Sequence, residues 1–191
     1  LALLDGGYMA SLSHNTAVNT AIDALSHAVE GMLSVKAGEV SDLLAKESIS
    51  IICSLADAIA ADTLTPADRQ KLLHASMLAG MVIANTGTTA VHAMGYSLTY
   101  YHEIDHGRAN GLLLGAFVAF CAQHLPKRTD AILQAGSFES PAAFSQMLAD
   151  LLGQRAALPD TETKTDAATA LTETNIANRP PQPPQNQTQH M

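Results

Sequence analysis

Apolar residues recur along this chain at three- and four-residue intervals, the spacing of helices rather than the alternation of strands. Ala21, Leu25, Ala28, Val29 and Met32 share one side of a predicted helix from about Thr16 to Leu33. Val40, Leu44, Ile51, Ile52, Leu55 and Ile59 repeat the pattern and predict a second helix, Glu39 to Ala61. Thr65-Pro66-Ala67-Asp68 supplies a cap, a proline for the first helical position and an acid in capping-box register. A third helix should run from there to about Asn85, burying Leu73, Met77, Met81 and Ala84, with Gly80 at a close-packing point. After a turn at Asn85–Thr88, Thr88 caps a helix carrying His92 and Tyr96, and the polar run Tyr100–Asp105 reads as a loop. Gly107–Gln123 is a strongly apolar helix, Pro126 starts a short one ending near Gly136, and Ser140-Pro141 opens a last one to about Leu152. The expected fold is all-α, a helical bundle.

The two ends differ from this pattern. Leu1–Leu4 could end a strand or a buried extended run, which Asp5-Gly6-Gly7 breaks with turn chemistry. After Gln154, Thr, Gln, Asn and Pro dominate and aromatic residues vanish. The chain therefore divides into a helical domain, 1–153, and a polar low-complexity tail, 154–191. In the tail only a weak helix over Thr165–Thr174 is expected. Arg179–Met191 reads as disordered or polyproline-like.

Composition narrows the function. A formal net charge of -8 argues against a nucleic-acid partner, which needs a basic face. No Lys/Arg cluster suggests a membrane surface. The longest apolar run, near Leu112–Ala122, falls short of the ~20 residues that span a bilayer. Cys53 and Cys121 lie inside apolar helical patterns and read as buried thiols in a reducing, cytoplasmic setting. No signal-peptide pattern is visible, and a start at Leu1 rather than Met suggests a fragment of something longer.

The chemistry concentrates in two stretches. Asp23 and His27 stand four residues apart on one helix face, so they can bind one ion together. Alone, such a pair is more often a surface polar pair or a satisfied core histidine. Val91–Asn110 holds His92, His102 and His106. His92 alone could be a hydrogen-bonded core residue, and His106 a cap residue. Taken together, Asp23, His27, His92 and His106 form a mixed N/O donor set that suits Fe²⁺ or Zn²⁺. Four protein ligands leave room for a water or substrate oxygen only if the coordination number can rise above four.

The runs TAIDALSHAVEGMLS (Thr20–Ser34) and GTTAVHAMGYSLTYYHEIDHGRANGLLL (Gly87–Leu114) closely resemble the iron-containing (group III) alcohol dehydrogenases. These carry a D-A-L-x-H-A-x-E run, then H-x-M-x-x-x-L leading into H-G-x-A-N. The resemblance covers Leu1 to roughly Leu152. It implies the C-terminal helical domain of the dehydroquinate synthase-like fold, with Asp23, His27, His92 and His106 as ligands to Fe²⁺ or sometimes Zn²⁺. It also implies hydride transfer between a small alcohol or aldehyde and NAD or NADP, with a metal as Lewis acid. A homo-oligomer is compatible with it.

Two departures qualify the resemblance. Many members place a second histidine four residues after the third ligand, where this chain has Tyr96. A phenol is a poorer proton carrier than imidazole near neutral pH. Tyr96 and His102 are the candidate catalytic residues, His102 equally a solvated loop residue. No glycine-rich phosphate loop is present, so cofactor contacts would come from an α/β domain absent from this chain. A non-catalytic metal-binding or interaction module is the alternative. A third reading is a non-redox enzyme of the dehydroquinate synthase type, but those typically present a Glu among the ligands.

Overall fold

In the computed structural model, residues 3–153 are described, and among them all regular structure is helical. A 3₁₀ turn, Gly6–Met9, precedes α1 (His14–Leu33), α2 (Glu39–Ser54), α3 (Ala56–Ala60), α4 (Pro66–Thr86), α5 (Ala90–His102), α6 (His106–His124), α7 (Pro126–Ala135) and α8 (Pro141–Leu152). Leu3 and Leu4 take no regular structure, so the extended run suggested at the N-terminus does not form a strand there. The expectations for Thr165–Thr174 and Arg179–Met191 lie outside the described residues.

Local chemistry sets most of the helix ends. Ser13 accepts a hydrogen bond from the Thr16 amide at 3.2 Å and starts α1. Thr65 and Asp68 form the reciprocal capping box in front of α4, with Pro66 in its first turn. Ser140 caps α8 through the Ala143 amide.

α1 is the spine. It packs against α2, α4 and α6 and buries Ile22, Leu25, Ala28, Val29 and Met32 almost completely. α6 bridges the far side, touching α1, α5, α7 and α8. α1 and α6 approach so closely at Gly107 that a Cβ there would sit 1.9 Å from the Asn19 carbonyl oxygen. Only glycine permits this contact, and it draws the start of α6, with His106, against α1.

Several local expectations need correction. The helix expected over Glu39–Ala61 breaks at Leu55, where φ -105 and ψ 3 separate α2 from α3. Ser54 bonds back to the Ile51 carbonyl at 2.8 Å, a contact that bends helices. The bend keeps Leu55, Ala56 and Ile59 buried. α4 turns a different face inward: Leu72, Ala75, Leu78, Ala79 and Val82 are buried, whereas Met81 is 45% exposed. Small and apolar residues surround this helix, so periodicity alone does not choose its face. Gly80 is exposed with nothing near it, so it is no close-packing point.

α5 also differs. It runs on through Tyr100–His102, because polarity without Gly or Pro does not stop a helix. Glu103 ends it in the left-handed region at φ 53. Its N-cap is Thr89 rather than Thr88. Both cysteines are free. Burial pushes Cys53 up to about 12, and burial followed by the nearby Glu30 pushes Cys121 to about 11. No described helix is long and apolar enough to cross a membrane.

The two glycines should respond oppositely to alanine. Gly107→Ala forces a side chain onto backbone and should lower urea-unfolding stability by about 1–3 kcal/mol. Gly80→Ala meets nothing and should raise stability by roughly 0.5–1 kcal/mol through helix propensity. Equal midpoints for both variants would contradict the packing described here.

Candidate metal centre

Three helices deliver the polar side chains. Asp23, His27 and Glu30 form one stripe on α1, at successive turns of a helix whose second half is otherwise mostly apolar. His92 lies in the first turn of α5 and is buried. His106 is the first residue of α6.

The geometry centres on Asp23 Oδ1. The Nε2 atoms of His92 and His106 each lie 3.5 Å from it, and that of His27 lies 3.8 Å away. Asp23, His27 and His92 each bring a ligand atom within 4.8 Å of the others, close enough to share one ion. His106 joins them through Asp23. The His27 and His92 rings stack at 4.6 Å, and His106 meets the edge of His92 at 5.2 Å. All four residues singled out by the two sequence stretches therefore come together.

Two further residues complete the cluster, and sequence reasoning assigned neither a role. Glu30 is fully buried and its Oε2 pairs with His92 Nδ1. Asn110 sends its amide nitrogen between Asp23 Oδ1 at 3.0 Å, His92 Nε2 at 3.2 Å and His106 Nε2 at 3.2 Å. The signals were present as spacings: Glu30 is seven residues after Asp23, and Asn110 four after His106, each on its ligand's own helix face.

The two candidate catalytic residues separate. Tyr96 stacks on His106 with ring centroids 5.3 Å apart and is 61% exposed, so it stands at the rim of the cluster. His102 ends α5, ten residues past His92, or about 15 Å along the helix axis.

The electrostatics call for positive charge at the centre. Burial pushes the Asp23 carboxyl up, but the hydrogen bond from His92 and the charges of His27 and His106 outweigh it and hold it low. His27 is pushed down by burial, only partly offset by Asp23. Burial also pushes His92 down, yet its bonds to Asp23 and Glu30 prevail and raise it to about 9. Within the chain itself the proton on His92 and the amide dipole of Asn110 offset this negative charge. Asn110 does so while its own buried Oδ1 has no hydrogen-bond partner. Gly95 makes room for that oxygen, since a Cβ there would sit 2.3 Å from it. A divalent cation fits the same demand, and one carboxylate with three imidazoles suits a borderline transition metal.

Comparison with known proteins identifies the family. A model of the "Fe-containing alcohol dehydrogenase family, C-terminal" matches residues 17–191. The chain belongs to the iron-containing alcohol dehydrogenase family. The match continues through 154–191, beyond the roughly Leu152 limit to which the motifs carry the resemblance. A long-chain-alcohol dehydrogenase from Geobacillus thermodenitrificans is 36% identical over 136 residues, covering 71% of this chain and 34% of that protein. An iron-containing alcohol dehydrogenase structure from Thermotoga maritima superposes with a TM-score of 0.75 at 37% identity, covering 91% of this chain and 46% of that one. A sulfoacetaldehyde reductase from Bifidobacterium kashiwanohense, solved with NAD⁺, gives 0.77 at 27% identity, covering 92% and 49%. The chain thus spans a third to a half of the length of these relatives. The architecture, all-helical among the described residues, is that of the C-terminal domain of iron-containing alcohol dehydrogenase structures.

The raised His92 has a consequence for the chelator-treated chain. The folded state keeps a proton that the unfolded chain begins to lose near the ordinary imidazole value of ~6.5. The stability from that proton is complete below ~6.5 and is lost as pH rises towards about 9. The depressed His27 acts only below that window. The melting temperature without metal should therefore fall from pH 6.5 to 9. A flat or rising profile would contradict the assigned pairing.

Proposed function

We propose that Asp23, His27, His92 and His106 bind one divalent ion, Fe²⁺ or Zn²⁺, and that the chain is the metal-holding part of an NAD(P)-dependent alcohol dehydrogenase. The observation that carries this is the convergence of three imidazole Nε2 atoms on Asp23 Oδ1. Membership of the family supports it, as does the NAD⁺ complex of the structurally similar sulfoacetaldehyde reductase. A bound ion supplies Lewis acidity toward the oxygen of a small alcohol or aldehyde, so that hydride can pass between its carbon and a nicotinamide.

The residues of this chain then have distinct tasks. Asp23 spans the gaps between α1, α5 and α6 and offsets the ion's charge. His27 and His92 form the inner wall, stacked and largely buried, where water is scarce and charge interactions are strong. His106 and Tyr96 form the outer edge, and the exposed Tyr96 ring is the surface on which a substrate would first rest. The Tyr96 hydroxyl can orient a substrate oxygen by hydrogen bonding. His102 receives no proton-transfer role, given its distance along α5. Nucleotide contacts would be made by polypeptide outside this chain.

Metal content tests the reading directly. The purified chain and its His92→Ala, His106→Ala and His74→Ala variants would be incubated with Fe²⁺ or Zn²⁺ and desalted, and the metal measured by mass spectrometry. Near-stoichiometric metal is expected in the wild type and His74→Ala, and strong loss in the other two. Equal content in all four sinks the assignment.

A further inference from the structure

Glu30 is an acid with no exposure to solvent, and its carboxylate is filled by donors from a single neighbouring segment. Oε1 accepts the Thr89 amide at 2.8 Å, the Thr89 hydroxyl at 2.5 Å and the Val91 amide at 3.0 Å. Oε2 faces His92 Nδ1. Every one of these donors belongs to the first turn of α5 or its N-cap. Thr89 makes no side-chain cap bond to its own helix, because its hydroxyl is turned to Glu30. An acid borrowed from α1 therefore does the capping, where free amides and the helix dipole favour negative charge.

This arrangement goes further than a helix cap. An imidazole whose Nδ1–H is held by a carboxylate presents its Nε2 lone pair, the tautomer a metal needs. His92 Nε2 is also the atom that faces Asp23 Oδ1 and Asn110. The same carboxylate fixes the level of α5 against α1, and so the distance of His92 from Asp23 and His27. A cap alone would need only the backbone amides and could be supplied by Thr89 itself.

Building on the metal reading above, we infer that Glu30 is a positioning residue for the ion: it locks His92 in the Nδ1–H tautomer and pins the start of α5, thereby setting metal affinity without touching the metal.

Two variants separate this from a purely structural role. Glu30→Gln keeps shape and volume but replaces one oxygen with an amide that donates. Thr89→Ala removes one cap bond and leaves the His92 contact. Co²⁺ serves as the probe, its affinity measured by competition with a chromophoric chelator and its geometry by visible absorption. Glu30→Gln should bind Co²⁺ about 10–100-fold more weakly than wild type, the usual effect of losing such a partner, with an altered spectrum. Thr89→Ala should weaken Co²⁺ binding clearly less than Glu30→Gln, because the Glu30–His92 contact remains; an equal or larger loss in Thr89→Ala would overturn the tautomer role.

Equal affinity and identical spectra for wild type and Glu30→Gln would overturn the inference and leave Glu30 a helix cap. Should Glu30→Gln fail to fold, the Zn²⁺-loaded wild type decides by ¹⁵N NMR of the histidines. A His92 Nδ1 proton shifted far downfield, as a bond to a carboxylate requires, supports the inference, and an ordinary imidazole N–H shift overturns it. Wild type that binds neither Co²⁺ nor Zn²⁺ would instead overturn the metal reading and this inference with it, an outcome distinct from the others.

Discussion

Asp23 Oδ1 is the point on which the molecule's organisation turns. A carboxylate half-buried among the core positions of α1 is costly unless it is compensated. Here compensation comes from three imidazoles and an amide, delivered by α5 and α6 as well as by α1 itself. That requirement fixes how the helices meet. Gly107 lets α6 reach α1, Gly95 lets Asn110 enter between α5 and α6, and Glu30 draws the start of α5 inward.

Much of this was legible in the sequence. Helix starts were clearest where capping chemistry is strictly local, as at Thr65-Pro66 and Ser140-Pro141. The four candidate ligands were legible because their spacing follows helical geometry and their motifs resemble a known family. What the sequence hid was set by neighbours. The inward face of α4 depends on where α1 and α2 lie, and small residues on all sides give periodicity nothing to select. The break at Leu55 follows the Ser54 back-bond and buries Ala56 and Ile59, with no Gly or Pro to announce it. Glu30 and Asn110 escaped for a related reason. Each sits at a helical repeat from a ligand, but an acid or amide there reads as an ordinary helix-surface residue until the partner helix is in place.

The donors are drawn together by groups of the chain itself. A fully buried Glu30 and a half-buried Asp23 stand beside three imidazoles. Their charge is offset by the proton on His92 and the amide dipole of Asn110. A cation held there would take over that role.

One feature of the packing bears on how the protein opens and closes. α5 lies chiefly on α6 and has little contact with α1 beyond its first turn. Its far end carries Tyr100 and Tyr101, both turned outward. Such an element is held by few buried contacts and should have a low free energy of local unfolding compared with α1. Whatever binds at its first turn adds to that free energy, because the unfolded segment offers no comparable site. The histidine that completes the cluster is therefore mounted on a helix that leans chiefly on α6, so that ligation at its first turn and local order of α5 are coupled.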